Sequence, residues 1–156
     1  MMSVAERQAV VRRHLEAENA FRLEETLETL TPDCVFEDMP LGERVSGQTA
    51  AAAYYQRWWR AFPDLTWVPQ RRAFTDEGIV SELIARGTHK GDFFGLAPTG
   101  RAIALPVTIF VSFADGRMSG ERLYYDLVTL LGQLGVRAIP PALLPAGRSV
   151  TPRESV

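Results

Sequence analysis

The sequence predicts an α+β fold, with helices in residues 1–62 and a run of long strands after residue 65. Two observations carry this. Apolar residues recur at helical spacing near the N-terminus, and from residue 65 onward long stretches alternate apolar and polar residues between turn signals. Helices followed by consecutive strands argue for helices packed on one face of an antiparallel sheet. Such a sheet, curved around its helices, encloses an apolar pocket with a few polar groups.

The elements follow in order. Residues 1–19 read as a helix, because Val4, Val11 and Leu15, and likewise Val10, His14, Ala17 and Phe21, form one broad stripe. Leu23, Leu27 and Leu30 continue as a second short helix, which Thr31-Pro32-Asp33 is expected to stop. Residues 34–37 form a short strand, and residues 39–40 and 42–47 a loop. Ser46 is a candidate N-cap for a helix over 48–62, ended by Pro63-Asp64. Strands are expected over 65–74 and 79–88, joined by Thr75-Asp76-Glu77-Gly78. Residues 90–100 carry three glycines and a proline and read as a wide loop. Strands over 102–114 and 118–125 flank the tight turn Asp115-Gly116. A helix over 127–134 stops at Gly135. The expected organisation is one folded domain over 1–135 and a Pro-containing tail over 136–156, a strap or a mobile end.

Composition bounds the function. The chain has 156 residues, and that length supports one domain able to bury roughly 70% of its unfolded surface. A formal charge of -2 argues against nucleic-acid or anionic-membrane partners. The single cysteine, Cys34, excludes an internal disulfide and a Cys-rich zinc site. With no long apolar run and no leader-like start, the expected location is cytoplasmic. No nucleophile elbow, phosphate loop or dinucleotide fingerprint is present. Two histidines 75 positions apart, with no third ligand in evidence, argue against a metal site.

Residues 87–101, GTHKGDFFGLAPTGR, resemble the signature loop of the SnoaL-like polyketide cyclase family. Trp59-Arg60-Ala61-Phe62-Pro63-Asp64 is similar to that family's helix end. Asp115-Gly116-Arg117, Tyr125-Asp126-Leu127 and Leu131-Gly132-Gln133-Leu134-Gly135 resemble its closing hairpin and helix. The resemblance covers roughly residues 5–136. It implies a cone-shaped α+β barrel, shared with nuclear transport factor 2, scytalone dehydratase and ketosteroid isomerase. It also implies a cofactor-independent enzyme that closes rings by aldol chemistry on a small hydrophobic substrate. Relatives of the same fold dehydrate, isomerise, hydrolyse epoxides or only bind ligands, so function rests on the site.

That chemistry needs a carboxylate in an apolar pocket, where desolvation raises its pKa into a useful range. Asp126, where the family keeps an aspartate, is the first candidate, and it is equally an N-cap for the last helix. Glu121 is the second; in a regular strand it and Asp126 face opposite sides, so at most one reaches the cavity unless a bulge intervenes. His89 enters the signature loop and either assists proton transfer or ties the loop down. The expected substrate-binding set is His14, Asp38, Tyr55, Trp58, Trp59, Phe93 and Tyr124. His14 lies on the apolar stripe and is either cavity lining or a satisfied core residue. Asp38 resembles the base of ketosteroid isomerases, or is an ordinary turn aspartate. The helix aromatics, Tyr54 included, are either core or a cage for a flat ligand. Long strands with apolar outer positions also lead to an expected homodimer.

Overall fold

The computed structural model describes residues 2–137 and residue 143. Helix α1 (Val4–Asn19) starts at a capping box: the Ser3 hydroxyl accepts from the Glu6 amide, and the Glu6 carboxylate accepts from the Ser3 amide at 2.7 Å. Its buried face carries Val11, His14, Ala17 and Glu18. Helix α2 (Leu23–Glu28) follows, and β1 (Leu30–Asp38) begins directly after it. Thr31-Pro32-Asp33, expected to stop the second helix after Leu30, lies inside β1, and that helix ends earlier, at Glu28. The pairing of β1 slips there, between Leu30 and Val35, and a bulge tolerates a proline that lacks a ladder donor.

Residues expected as loop form the short edge strand β2 (Glu43–Ser46), paired antiparallel with β1. Helix α3 (Gln48–Ala61) is capped by Gly47 rather than Ser46. Gly47 has φ +82, and its amide donates to the Cys34 carbonyl at 2.8 Å, a conformation open to glycine at low cost. Four further strands, β3 (Thr66–Phe74), β4 (Gly78–Thr88), β5 (Ala102–Ala114) and β6 (Arg117–Tyr125), form an antiparallel meander, and α4 (Leu127–Gln133) closes the fold.

The sheet order is β2-β1-β6-β5-β4-β3. It is mixed, not antiparallel throughout, because β1 runs parallel to β6. All of β2 to β5 intervenes between these two strands, so no hairpin dictates their direction. One sheet face packs on the helices. Ile79, Leu83 and Ala85 of β4 and Ile103, Leu105, Val107, Ile109 and Val111 of β5 are buried at alternate positions.

A bulge decides what β6 presents to that face. The turn at Asp115-Gly116 takes positive φ at both residues and pairs Ala114 with Arg117 and Phe113 with Met118. Ser119 is then left over, and pairing resumes at Ser112–Gly120 and Val111–Glu121. Glu121 and Leu123 are therefore buried beside Val111 and Ile109. In a regular ladder that paired Ser119 with Ser112, Glu121 would oppose Phe110, which is 48% exposed on the outer face.

The glycine-rich loop docks on the end of α3, where the Lys90 and Gly91 amides donate to the Ala61 carbonyl at 2.9 and 3.1 Å. A Cβ at Gly91 would lie 2.0 Å from the Arg60 carbonyl oxygen, so no larger residue fits. The tail expected over 136–156 falls, except for residues 136, 137 and 143, outside the described residues; Leu143 is buried in the core cluster.

Candidate active site

Among the described residues, two small hollows lie between sheet and helices. One, of about 20 Å³, is bounded by Tyr54, Tyr55, Trp58 and Tyr125 together with aliphatic residues of β4 to β6. The other, of about 30 Å³, is bounded by His14, Ser81, Arg72, Glu121 and the aliphatics Val11, Leu83, Ile109 and Val111. Glu18 and Trp67 border both. Asn19 holds the Trp67 backbone through a pair of hydrogen bonds of 2.8 and 3.0 Å, and the indole N–H donates to Glu18 Oε1 at 2.8 Å. Each hollow has room for roughly one water molecule.

The second hollow holds the acid–base cluster. His14 is 3% and Glu121 9% exposed. His14 Nε2 lies 3.7 Å from Glu121 Oε1, 3.5 Å from Glu18 Oε2 and 3.2 Å from the Tyr55 hydroxyl. Helix spacing explains the first carboxylate, since Glu18 is four residues beyond His14 on one face of α1. The β6 bulge explains the second. Burial pushes the Glu121 carboxyl up to about 7; the imidazole opposes that shift and Glu18 adds to it. Burial disfavours a charged His14, but the Glu18 and Glu121 carboxylates and the Thr26 carbonyl outweigh it, and its pKa is raised. Inside this wall the Ser81 hydroxyl is buried with no partner among the described residues, and in the neighbouring hollow the same holds for the Trp58 indole N–H. Both can donate to an acceptor on a ligand.

A second buried carboxylate stands beyond the aromatic layer. Asp38, 1% exposed, accepts from the Tyr54 hydroxyl at 2.8 Å, the Tyr125 hydroxyl at 3.0 Å and the Leu41 amide at 3.2 Å. Burial raises its pKa despite those three donors. The group is polar, closed on itself, and reaches the first hollow only through its two tyrosine rings.

The remaining candidates take other positions. Asp126 is exposed at the N-cap of α4, where it accepts from the Val128 amide at 2.9 Å and the Thr129 hydroxyl at 2.6 Å; it borders neither hollow. With Glu121 and Leu123 facing inward, the strand ends before Asp126 and delivers it to the helix instead. His89 is fully buried at the loop, not at Glu121. Its Nδ1 accepts from the Thr99 amide at 3.2 Å, its backbone brackets Gly100 and Arg101, and its ring packs on Phe62 and Phe93. Phe93 packs against Trp58, Phe62 and Phe94 in the core, and Trp59 stacks on Tyr55 and lies tilted against Phe21; neither borders either of these two hollows. Tyr124 lies on the outer sheet face, edge-on to Phe110. His14, Glu121 and Tyr55 come together, Trp58 joins the adjoining hollow, and Asp38 sits apart. Sequence reasoning passed over Glu18, Trp67, Ser81, Thr29 and Tyr125. Only Glu18 had a signal, its spacing from His14.

Among the described residues, no group of three or more His, Cys, Asp or Glu is arranged to hold a metal ion, and no helix is long and apolar enough to cross a membrane.

The mixed α+β architecture, with helices on one face of a six-stranded sheet, is one that known proteins share. The sequence profile of the SnoaL-like polyketide cyclases matches residues 8–134, and the chain belongs to that family. Among solved structures it is similar to the provisionally assigned polyketide cyclase IdmH from Streptomyces antibioticus, with 28% identity, TM-score 0.71, and 83% of this chain and 98% of that one covered. It is also similar to AclR from Streptomyces galilaeus, provisionally a hydroxylase, at 24% identity and TM-score 0.74, covering 85% and 98%. A Catenulispora acidiphila protein of ketosteroid isomerase-like fold, solved with trimethylamine, aligns at 16% identity and TM-score 0.71, covering 85% and 94%. The last two likenesses are of fold alone. No curated protein matches the chain.

Proposed function

We propose that the protein is a cofactor-independent acid–base enzyme that closes a ring in a small, apolar, polyketide-type molecule by aldol chemistry. The observation that carries this is the Glu121–His14 pair, buried in an aliphatic wall with the carboxyl pKa near neutrality. A carboxylate there can take a proton from carbon next to a carbonyl and return it, because its two protonation states are close in free energy at ordinary pH.

In the proposed reaction, ionised Glu121 removes a proton from the carbon between two carbonyls, and the C–H electron pair passes into an enolate. The enolate carbon attacks a second carbonyl of the same molecule, forming the C–C bond. The resulting alkoxide takes a proton back from Glu121, with His14 balancing the charge. The unpaired donors of Ser81 and Trp58 suit the carbonyl oxygens of such a molecule. A ligand of this size needs more room than either hollow offers, so the side chains that border both, Glu18 and Trp67, would have to move to join them. The profile match and the likeness to IdmH support the choice of cyclisation among the activities of the fold.

The test is ring closure of a linear aromatic polyketone, followed by absorbance, with deuterium uptake from solvent at the acidic carbon. Glu121→Gln is expected to lower kcat by about 10²–10⁴ while ligand affinity holds. Undiminished turnover in that variant would overturn the assignment. The aromatic side chains bounding the first hollow favour a second reading, a binding protein for a flat hydrophobic ligand; tight binding without deuterium uptake would support it.

A further inference from the structure

Thr29 stands at the end of α2, 3% exposed, between His14 and the helix backbone. Its Oγ1 is 2.6 Å from His14 Nδ1 and 2.6 Å from the Thr26 carbonyl oxygen. A hydroxyl has one proton and a carbonyl oxygen has none. If that proton pointed at the imidazole, two oxygens 2.6 Å apart would face each other with nothing between them. The hydroxyl therefore donates to Thr26, and the only hydrogen left for the Nδ1 contact is the imidazole's own.

We propose that Thr29 is a positioning residue that holds the proton of His14 on Nδ1 and leaves Nε2 as the one nitrogen able to exchange a proton with the site. The inference rests on the acid–base reading above for its functional meaning, though not for its geometry. The groups facing Nε2 come from three elements: Glu18 on α1, Tyr55 on α3 and Glu121 on β6. With Nδ1 occupied, the Nε2 lone pair accepts from the Tyr55 hydroxyl, or Nε2 carries the shared proton and faces the carboxylates. The opposite tautomer would put a permanent N–H toward Glu121 and leave His14 unable to receive a proton there. Thr29 thus acts through His14 and touches no reacting atom.

The molecule supplies its own control. At His89 the Thr99 amide donates to Nδ1 at 3.2 Å, and the Thr99 hydroxyl, which accepts from the Arg101 amide, lies 3.1 Å from the same nitrogen with its proton free to donate, so the neutral ring is expected to carry its proton on Nε2. The two histidines are expected to occupy opposite tautomers, which long-range proton–nitrogen correlation spectra of uniformly ¹⁵N-labelled protein distinguish at a pH where both rings are neutral. Thr29→Val, which keeps shape and removes the hydroxyl, is expected to move His14 to the Nε2–H form or a mixture, with His89 unchanged. Thr29→Ser should keep the wild-type pattern. In the ring-closure assay, Thr29→Val is expected to lower kcat at least tenfold with KM little changed, and Thr29→Ser to restore it.

A wild-type His14 protonated on Nε2, or a tautomer indifferent to Thr29→Val, overturns the proposal, and the wild-type spectrum alone decides the first point even if the valine variant fails to fold. Loss of activity in Glu121→Gln but not in Thr29→Val also defeats it, leaving the enzymatic reading intact. The expected tautomer shift with Glu121→Gln fully active supports the positioning and defeats the enzymatic reading.

Discussion

Glu121 of β6 and His14 of α1 meet 3.7 Å apart in a wall of aliphatic side chains, and each shifts the other's affinity for a proton. Both folded-state pKa values lie above the ordinary ones, which fixes the sign of the linkage. The protonated pair favours the folded state, fully so below the unfolded carboxylate pKa of about 4.5, and that contribution is lost as pH rises toward and past about 7. Wild-type Tm is therefore expected to fall from pH 5 to pH 8 relative to Glu121→Gln, whose side chain does not ionise. Thermal melts of the two proteins across that interval check it; parallel curves would show an uncoupled carboxyl.

Asp126 is a test of cap against catalyst. Its two hydrogen bonds go to the first turn of α4 and hold its pKa below the usual carboxylate range, chiefly through the Thr129 hydroxyl. Asp126→Ala is expected to lower Tm modestly and leave turnover unchanged. A collapse of kcat in a folded variant would return the residue to the mechanism.

His89→Ala removes a fully buried ring packed on Phe62 and Phe93 and the acceptor for the Thr99 amide. A loss of about 3 kcal/mol in denaturant unfolding is expected, of the size seen for large-to-small core changes. Cleavage by protease within residues 90–100 should rise, with the tautomer of His14 unaltered.

Tyr125→Phe takes one donor from a buried carboxylate. A cost of about 1–3 kcal/mol at neutral pH is expected. The removed bond favours ionised Asp38, so the variant's deficit should shrink as pH falls and Asp38 protonates in both proteins. Unfolding free energies at pH 4.5 and pH 8 give the comparison; equal deficits would place the effect in packing rather than in the carboxylate.

Much of the frame was legible because it is written in local periodicity. β5 was read over the residues it occupies, since apolar and polar positions alternate from Ala102 to Ala114 and Asp115-Gly116 marks its end. β2, the parallel pairing of β1 with β6 and the cap at Gly47 were not legible. They depend on partners distant in sequence, and four residues such as Glu43–Ser46 have no periodicity of their own. For the site, residue types were informative and directions were not. Asp126 and Glu121 looked interchangeable because only register tells which faces inward, and register here depends on one unpaired serine. Ser81 and Thr29 resembled any polar residue in a strand or at a helix end. Their importance comes from what surrounds them.

The surplus Ser119 makes the reactive centre a matter of odd and even. Taken up into a regular ladder instead of bulging out, that one residue would leave composition and hydrophobicity untouched, yet would rotate Glu121 out beside Phe110 and turn the neighbouring arginine, Arg122, toward the greasy interior. Deleting Ser119 should thus keep Glu121 opposite Val111, because the odd residue and the bulge go together, whereas a relative that keeps the residue but loses the bulge would present a different side chain to whatever it encloses.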